Sequence, residues 1–352
     1  MLSFTRRRRP RALRGSPKKS GFTLIEVLVS AAILLIILVT LVQFMNNVDQ
    51  VWKSAAADPF IEAQNAFETV AQNLAAATLA PYRDYADSTG AFRTSASFVP
   101  DHLARRSDLA FVCGPSSGAN GLLTASGRAT VGSGVFFLSP NGYTQTYIHT
   151  DMGRLLNAMG YFVEFGDDDA VPGFSQTHAY RWRLKQVLQP AESLQIFSMT
   201  PPAKWPSTAW IQEIVPTLTT TSTPSPVPVL ADNVITLIVL PELAAGDTAP
   251  ALSPTFSYDS RDTTNALTLH QLPPRVRLAL VVIDPISAQR LAAQNGSQAP
   301  QLVPGTLFQQ SAQLTSDLTT LDNSLTAQKI NHRIFQREIL LPSSNWSDAP
   351  SP

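Results

Sequence analysis

A long apolar run sits near the amino terminus: residues 27–48 contain no charged side chain, directly after a single acid, Glu26. As a helix that run is about 33 Å long, enough for the hydrocarbon layer of a bilayer. Beyond Asp49 the pattern changes. Phe60, Ala63, Phe67, Val70, Ala71 and Leu74 recur at helical spacing between Glu62, Gln64, Glu68 and Gln72, which predicts an amphipathic helix within 49–80. Asp58-Pro59 reads as its start, an N-cap followed by proline at the first helical position. A further helix is expected where Leu314, Leu318, Leu321 and Leu325 fall four, three and four apart.

Between these helices the pattern is strand-like. Strands are expected over 109–113, 135–138, 161–165, 179–188, 234–240, 275–283 and 330–340. In the fourth, Tyr180, Trp182 and Leu184 alternate with Arg181, Arg183 and Lys185, so the basic row is expected on a solvated face. Eleven of the thirteen residues 216–228 are Pro, Ser or Thr, an exposed loop or internal linker and not assigned as a domain boundary, because strands on both sides can pair across it. No repeat of solenoid period is evident. The fold class is α+β: a long amino-terminal helix, then a strand-rich globular region over 81–352.

Composition sharpens this picture. A chain of 352 residues with 44% hydrophobic content buries a real core and is not disordered. Its formal charge of zero hides an asymmetry. Positions 1–21 hold eight of the 26 Lys and Arg and none of the 26 acids, leaving 18 bases against 26 acids, net −8, in the rest. A basic tract directly before an apolar run holds that end in the cytoplasm. It is a weaker fit to nucleic acid, and a net-acidic remainder argues against broad phosphate binding. The single cysteine, Cys113, follows an apolar strand and is expected to be a buried thiol.

The apolar run is too long for a signal-peptide core and is followed by Asn46-Asn47-Val48-Asp49-Gln50, which is no cleavage site for one. The small residue at a natural break is Gly21, on the basic side. A cut there removes every leader charge and makes Phe22 the new terminus, four residues before Glu26. On position alone, Glu26 either reaches the headgroups or is neutralised by an amine of its own or a neighbouring chain.

Gly21-Phe22-Thr23-Leu24-Ile25-Glu26, with a basic leader before it and an apolar helix after it, resembles the amino terminus of type IV prepilins and pseudopilins. The resemblance implies a leader over 1–21, a membrane-spanning and filament-core helix over 22–48, and a pilin-like domain outside the cytoplasm. It also implies cleavage between Gly21 and Phe22 by a prepilin peptidase, N-methylation of Phe22, and pairing of Glu26 with the Phe22 amine of an adjacent subunit. The expected setting is the bacterial inner membrane, with its lipid around the helix before assembly and other pilins afterwards. Further on, "LADNVITLIVL" (230–240) and "QLPPRVRLALVVID" (271–284) resemble paired strands of J-type minor pseudopilins of type II secretion. With "HRIFQREILLPSSNW" (332–346), the wording resembles a prepilin-like group from multigene cassettes of Verrucomicrobia, the Verru_Chthon cassette protein C group.

Other chemistry is thin. Gly114-Pro115-Ser116-Ser117-Gly118 satisfies the G-x-S-x-G string, but Ala119-Asn120-Gly121 follows where a nucleophile elbow needs a helix. Asp167, Asp168 and Asp169 are weak candidates for calcium, since three adjacent acids point in different directions and read better as a solvated loop. No paired-His or paired-Cys zinc spacing and no phosphate-cradling glycine loop occurs, so no cofactor is expected. Trp182, Trp205, Trp210 and Trp346 read as buried anchors rather than stacking platforms. The leading expectation is a minor pilin or pseudopilin, an assembly part and not an enzyme. The alternatives are an uncleaved anchor carrying a binding or enzymatic domain, and a DNA-capturing pilin using Arg181, Arg183 and Lys185.

Overall fold

The computed structural model describes residues 24–55, 59–93, 97–149, 151–167, 180–198, 209–215, 227–243 and 251–347. Residues 1–58 and 59–352 form two separate units.

The described part of the first unit is one helix, α1 (Leu24–Ala55). No glycine or proline interrupts it, and Thr40 turns its hydroxyl back onto the carbonyls of Ile36 (3.0 Å) and Ile37 (2.8 Å), which masks a polar group inside an apolar stretch. Its described side chains are exposed, thirteen large hydrophobics among them. At about 1.5–3 kcal/mol for each such side chain fully buried, that surface represents on the order of 20–40 kcal/mol of burial not realised within the chain. Among the described residues no helix is long and apolar enough to cross a membrane, in contrast to the expected span. The described side chains run without a charge from Val27 to Leu41, about 22 Å of helix against a hydrocarbon layer of about 30 Å.

The second unit begins with α2 (Ile61–Ala75). It starts later than Asp58-Pro59 predicts. Phe60 holds the N-cap position without a side-chain cap, Pro59 lies in the preceding turn, and Asp58 is outside the described residues. The rest of the unit is β-rich: β1 (Tyr82–Ala86), β2 (His102–Arg106), β3 (Phe111–Pro115), β4 (Thr130–Ser139), β5 (Asn157–Gly166), β6 (Arg181–Gln189), β7 (Val229–Asp232), β8 (Val234–Glu242), β9 (Tyr258–Asp259), β10 (Arg275–Ile283) and β11 (His332–Leu340). The short helices α3 (Gln195–Ser198) and α4 (Ala209–Ile214) precede β7; α5 (Pro285–Asn295) and α6 (Leu314–Ala327) lie between β10 and β11.

Every sheet is antiparallel: a six-stranded sheet in the order β7-β6-β5-β4-β3-β9, a three-stranded sheet β11-β10-β8, and the β1-β2 pair. The first two sheets meet where β4 bulges between Val131 and Val135. Gly132 there has φ +71°, and a Cβ would lie 2.4 Å from Thr236 Oγ1 and 2.5 Å from the Leu237 carbonyl of β8, so only glycine permits the approach. The Val239 amide donates to Ser133 Oγ (3.3 Å) across the same contact. Strands β6 and β7 pair across the 216–228 segment.

Helix α2 packs with Ala63, Phe67, Val70, Ala71 and Leu74 buried, as the stripe predicts. Phe67 stacks on Phe335 of β11 at 5.7 Å, Asn73 donates to the Tyr161 hydroxyl of β5 (2.7 Å), and Glu62 accepts the Asp232 amide of β7 (3.2 Å). The helix therefore ties both large sheets together. In α6, Leu314, Leu318, Leu321 and Leu325 are all buried. Helix α5 was not expected, although Asp284-Pro285 is the same start signal as Asp58-Pro59; here Asp284 does cap, accepting the Ser287 amide at 3.2 Å.

Candidate functional site

The processing string lies at the start of α1. Gly21 and Phe22 are outside the described residues, as is the Glu26 side chain; the Glu26 backbone is helical, in the first turn described.

The basic row of β6 is not on a solvated face. Arg183 and Lys185 are buried and Arg181 is partly covered. Arg183 donates from Nε to Asp232 (2.9 Å) and from Nη1 to the carbonyls of Gly166 (2.9 Å) and Asp167 (2.8 Å), while Lys185 donates to the Val227 carbonyl (3.3 Å). Arg181 reaches Asp232 at 3.4 Å. The cause is β7, which pairs with β6 and brings Asp232 opposite Arg183. Alternation identifies which residues share a face, but not what covers it.

Of the candidate calcium ligands, Asp167 spends its carbonyl on Arg183, and Asp168 and Asp169 are outside the described residues. Among the described residues no group of three or more His, Cys, Asp or Glu is placed to hold a metal ion. Ser116 is buried and donates to the Gly132 carbonyl (3.0 Å), and the chain after it turns through Gly118–Gly121 rather than entering a helix. Cys113 is a free, buried thiol against the Phe256 carbonyl (3.7 Å); burial pushes its pKa well up, which keeps it unreactive. Trp210 is fully buried, edge-on to Phe136 at 6.4 Å, and Trp182 packs edge-on to Phe165 at 5.1 Å. Trp346 is half-buried and Trp205 is outside the described residues.

Sequence reasoning gave no sign of the buried ion pairs. Arg128 Nη1 donates to both carboxylate oxygens of Glu164 (2.8 and 2.9 Å), and buried Glu242 receives both Arg275 (3.5 Å) and Arg277 (3.0 Å) from the adjacent strand. The Glu242 pairs join residues on neighbouring strands and the Arg128 pair joins the segment before β4 to β5, so only the tertiary arrangement reveals them. A second polar group surrounds the turn after β9. There Asp259 is pushed up to about 6 by burial, with the Arg261 amide and charge opposing the rise, and His270 is pushed down to about 4 by burial and then by Arg106, Arg105 and Arg261.

No curated protein and no solved structure matches the chain. Residues 16–42 match the family model of the prokaryotic N-terminal methylation motif. That stretch contains Gly21, Phe22, Glu26 and the start of α1, and it indicates a type IV pilin-like protein processed by prepilin peptidase and assembled with other pilins.

Proposed function

We propose that this chain is a minor pseudopilin or minor pilin, a structural subunit of a type II secretion-like or type IV pilus-like filament with no catalytic role. The observation that carries the reading is the methylation motif at 16–42 running directly into a helix whose apolar side chains are exposed. Such a helix needs burial elsewhere, first in inner-membrane lipid over residues 27–48 and then among similar helices in a filament. The amino terminus starts in the cytoplasm and the β-rich unit lies in the periplasm, as the basic leader requires. Moving from lipid to a helix bundle changes apolar burial little. Registry then falls to helix packing and to Glu26 meeting the Phe22 amine of an adjacent subunit.

The size of residues 59–352 favours a tip or initiating position, since repetition along a shaft demands more lateral space. The DNA-capturing alternative loses support, because Arg183 and Lys185 are committed to acceptors inside the fold. Replacing Glu26 with valine tests the assembly step. The variant is expected to enter the membrane at normal levels and to be missing from sheared filaments or from crosslinks to other pilins. Incorporation at the wild-type level would remove the role given to Glu26.

A further inference from the structure

The β1-β2 pair places two arginines directly opposite each other: Arg83 and Arg105 are register partners. Like charges at such positions repel, which destabilises the pair. The neighbouring Arg106 is compensated, with Asp84 at 3.3 Å. Arg83 and Arg105 have no such carboxylate among the described residues. Arg105 is only 8% exposed; its Nε donates to the Leu269 carbonyl (3.3 Å), and its Nη2 is buried without an acceptor among the described residues. Arg83 is exposed and makes no hydrogen bond or ion pair among the described residues.

Both arginines line one cleft of about 260 Å³, together with Tyr82, His270, Asn345 and Ser347. No Asp or Glu is among its described lining residues. Arg83 is the main charge acting against the buried Arg105 guanidinium, and His270 is held neutral beside them. A repulsive pair retained in a cleft with no acid among its described lining residues suits anion recognition, since a bound anion turns the repulsion into two attractions.

We propose that this cleft binds a small oxyanion, a carboxylate or a phosphate, held between Arg83 and Arg105. The cleft is roomy enough for a compact dianion with part of its hydration shell. Asn345 supplies an amide donor at the rim, while the Tyr82 hydroxyl is directed at Asp108 (3.3 Å).

The test is a titration of the full-length chain in a neutral detergent at low ionic strength, with sodium succinate and separately with sodium phosphate. Thermal unfolding and calorimetry are the readouts, and sodium chloride at matched ionic strength is the control. At least one oxyanion is expected to bind saturably and raise the melting temperature. A response to succinate alone assigns the carboxylate class, and a response to phosphate alone assigns the phosphate class. Arg83→Gln is expected to weaken that binding at least ~10-fold. Without oxyanion its melting temperature should be unchanged or higher, because the repulsion is relieved. Arg83 is exposed, so this variant folds. An equal shift from chloride, no shift with either oxyanion, or wild-type affinity in Arg83→Gln would overturn the proposal.

Discussion

Replacing Arg183 with alanine separates a solvated basic row from a buried clamp. In the structure the side chain donates to Asp232 (2.9 Å) and to two carbonyls, of Gly166 (2.9 Å) and Asp167 (2.8 Å). Hydrogen bonds from a charged group are worth about 1.5–3 kcal/mol each but do not add. Asp232 is about one-third exposed and keeps Arg181 at 3.4 Å, so its stranded charge is partly screened, and the cost falls below that of a fully buried broken pair. The expected loss is about 2–4 kcal/mol, or roughly 3–7 °C in melting temperature for a unit of this size. On a solvated face the same change would stay within about 0.5 kcal/mol. Thermal or urea unfolding of the purified full-length variant, followed by tryptophan fluorescence, decides between them. A shift under about 1.5 °C would refute the clamp.

Two other perturbations probe the second unit. Gly132→Ala places a methyl 2.4 Å from Thr236 Oγ1 and 2.5 Å from the Leu237 carbonyl at φ +71°, so it is expected to cost about 2–4 kcal/mol from clash and left-handed strain together; unfolding at the wild-type temperature would mean that β4 and β8 do not approach as described. Asp259 has a folded pKa raised to about 6, so it is protonated in the fold while ionised in the unfolded chain, and stability falls as pH rises from about 4 to 6. His270, lowered to about 4, acts in the opposite sense, adding stability as pH rises from about 4 to 6.5. Asp259→Asn is therefore expected to gain stability over the parent between pH 4 and 6, reaching roughly 2–3 kcal/mol at pH 7. A gain independent of pH in thermal unfolding would contradict the buried carboxyl.

Much of the architecture was legible in the chain itself. The α2 stripe and the α6 leucines follow helical periodicity, and β8 and β10 are apolar enough to be read without alternation. The strands β1 and β2 were not read, since Tyr82–Ala86 and His102–Arg106 are too polar to alternate visibly. Strand β5 starts at Asn157, earlier than expected, because Asn, Ala, Met and Gly give no β-branched signal. Gly160 is instead rescued by Phe136, whose ring lies where a Cβ would be, 2.4 Å away. The processing string was read complete because it is contiguous. The β6 row and the Arg83–Arg105 cleft depend on register and on what covers a face, which no local pattern encodes.

The central claim is that the chain is cut after Gly21 and joins a filament through the exposed new terminus. Mass spectrometry of the protein isolated from its native membrane reads this directly. The expected amino-terminal peptide begins at Phe22 and carries one added methyl group on its α-amine. A native protein that retains its arginine tract, with no peptide beginning at Phe22, would contradict the account.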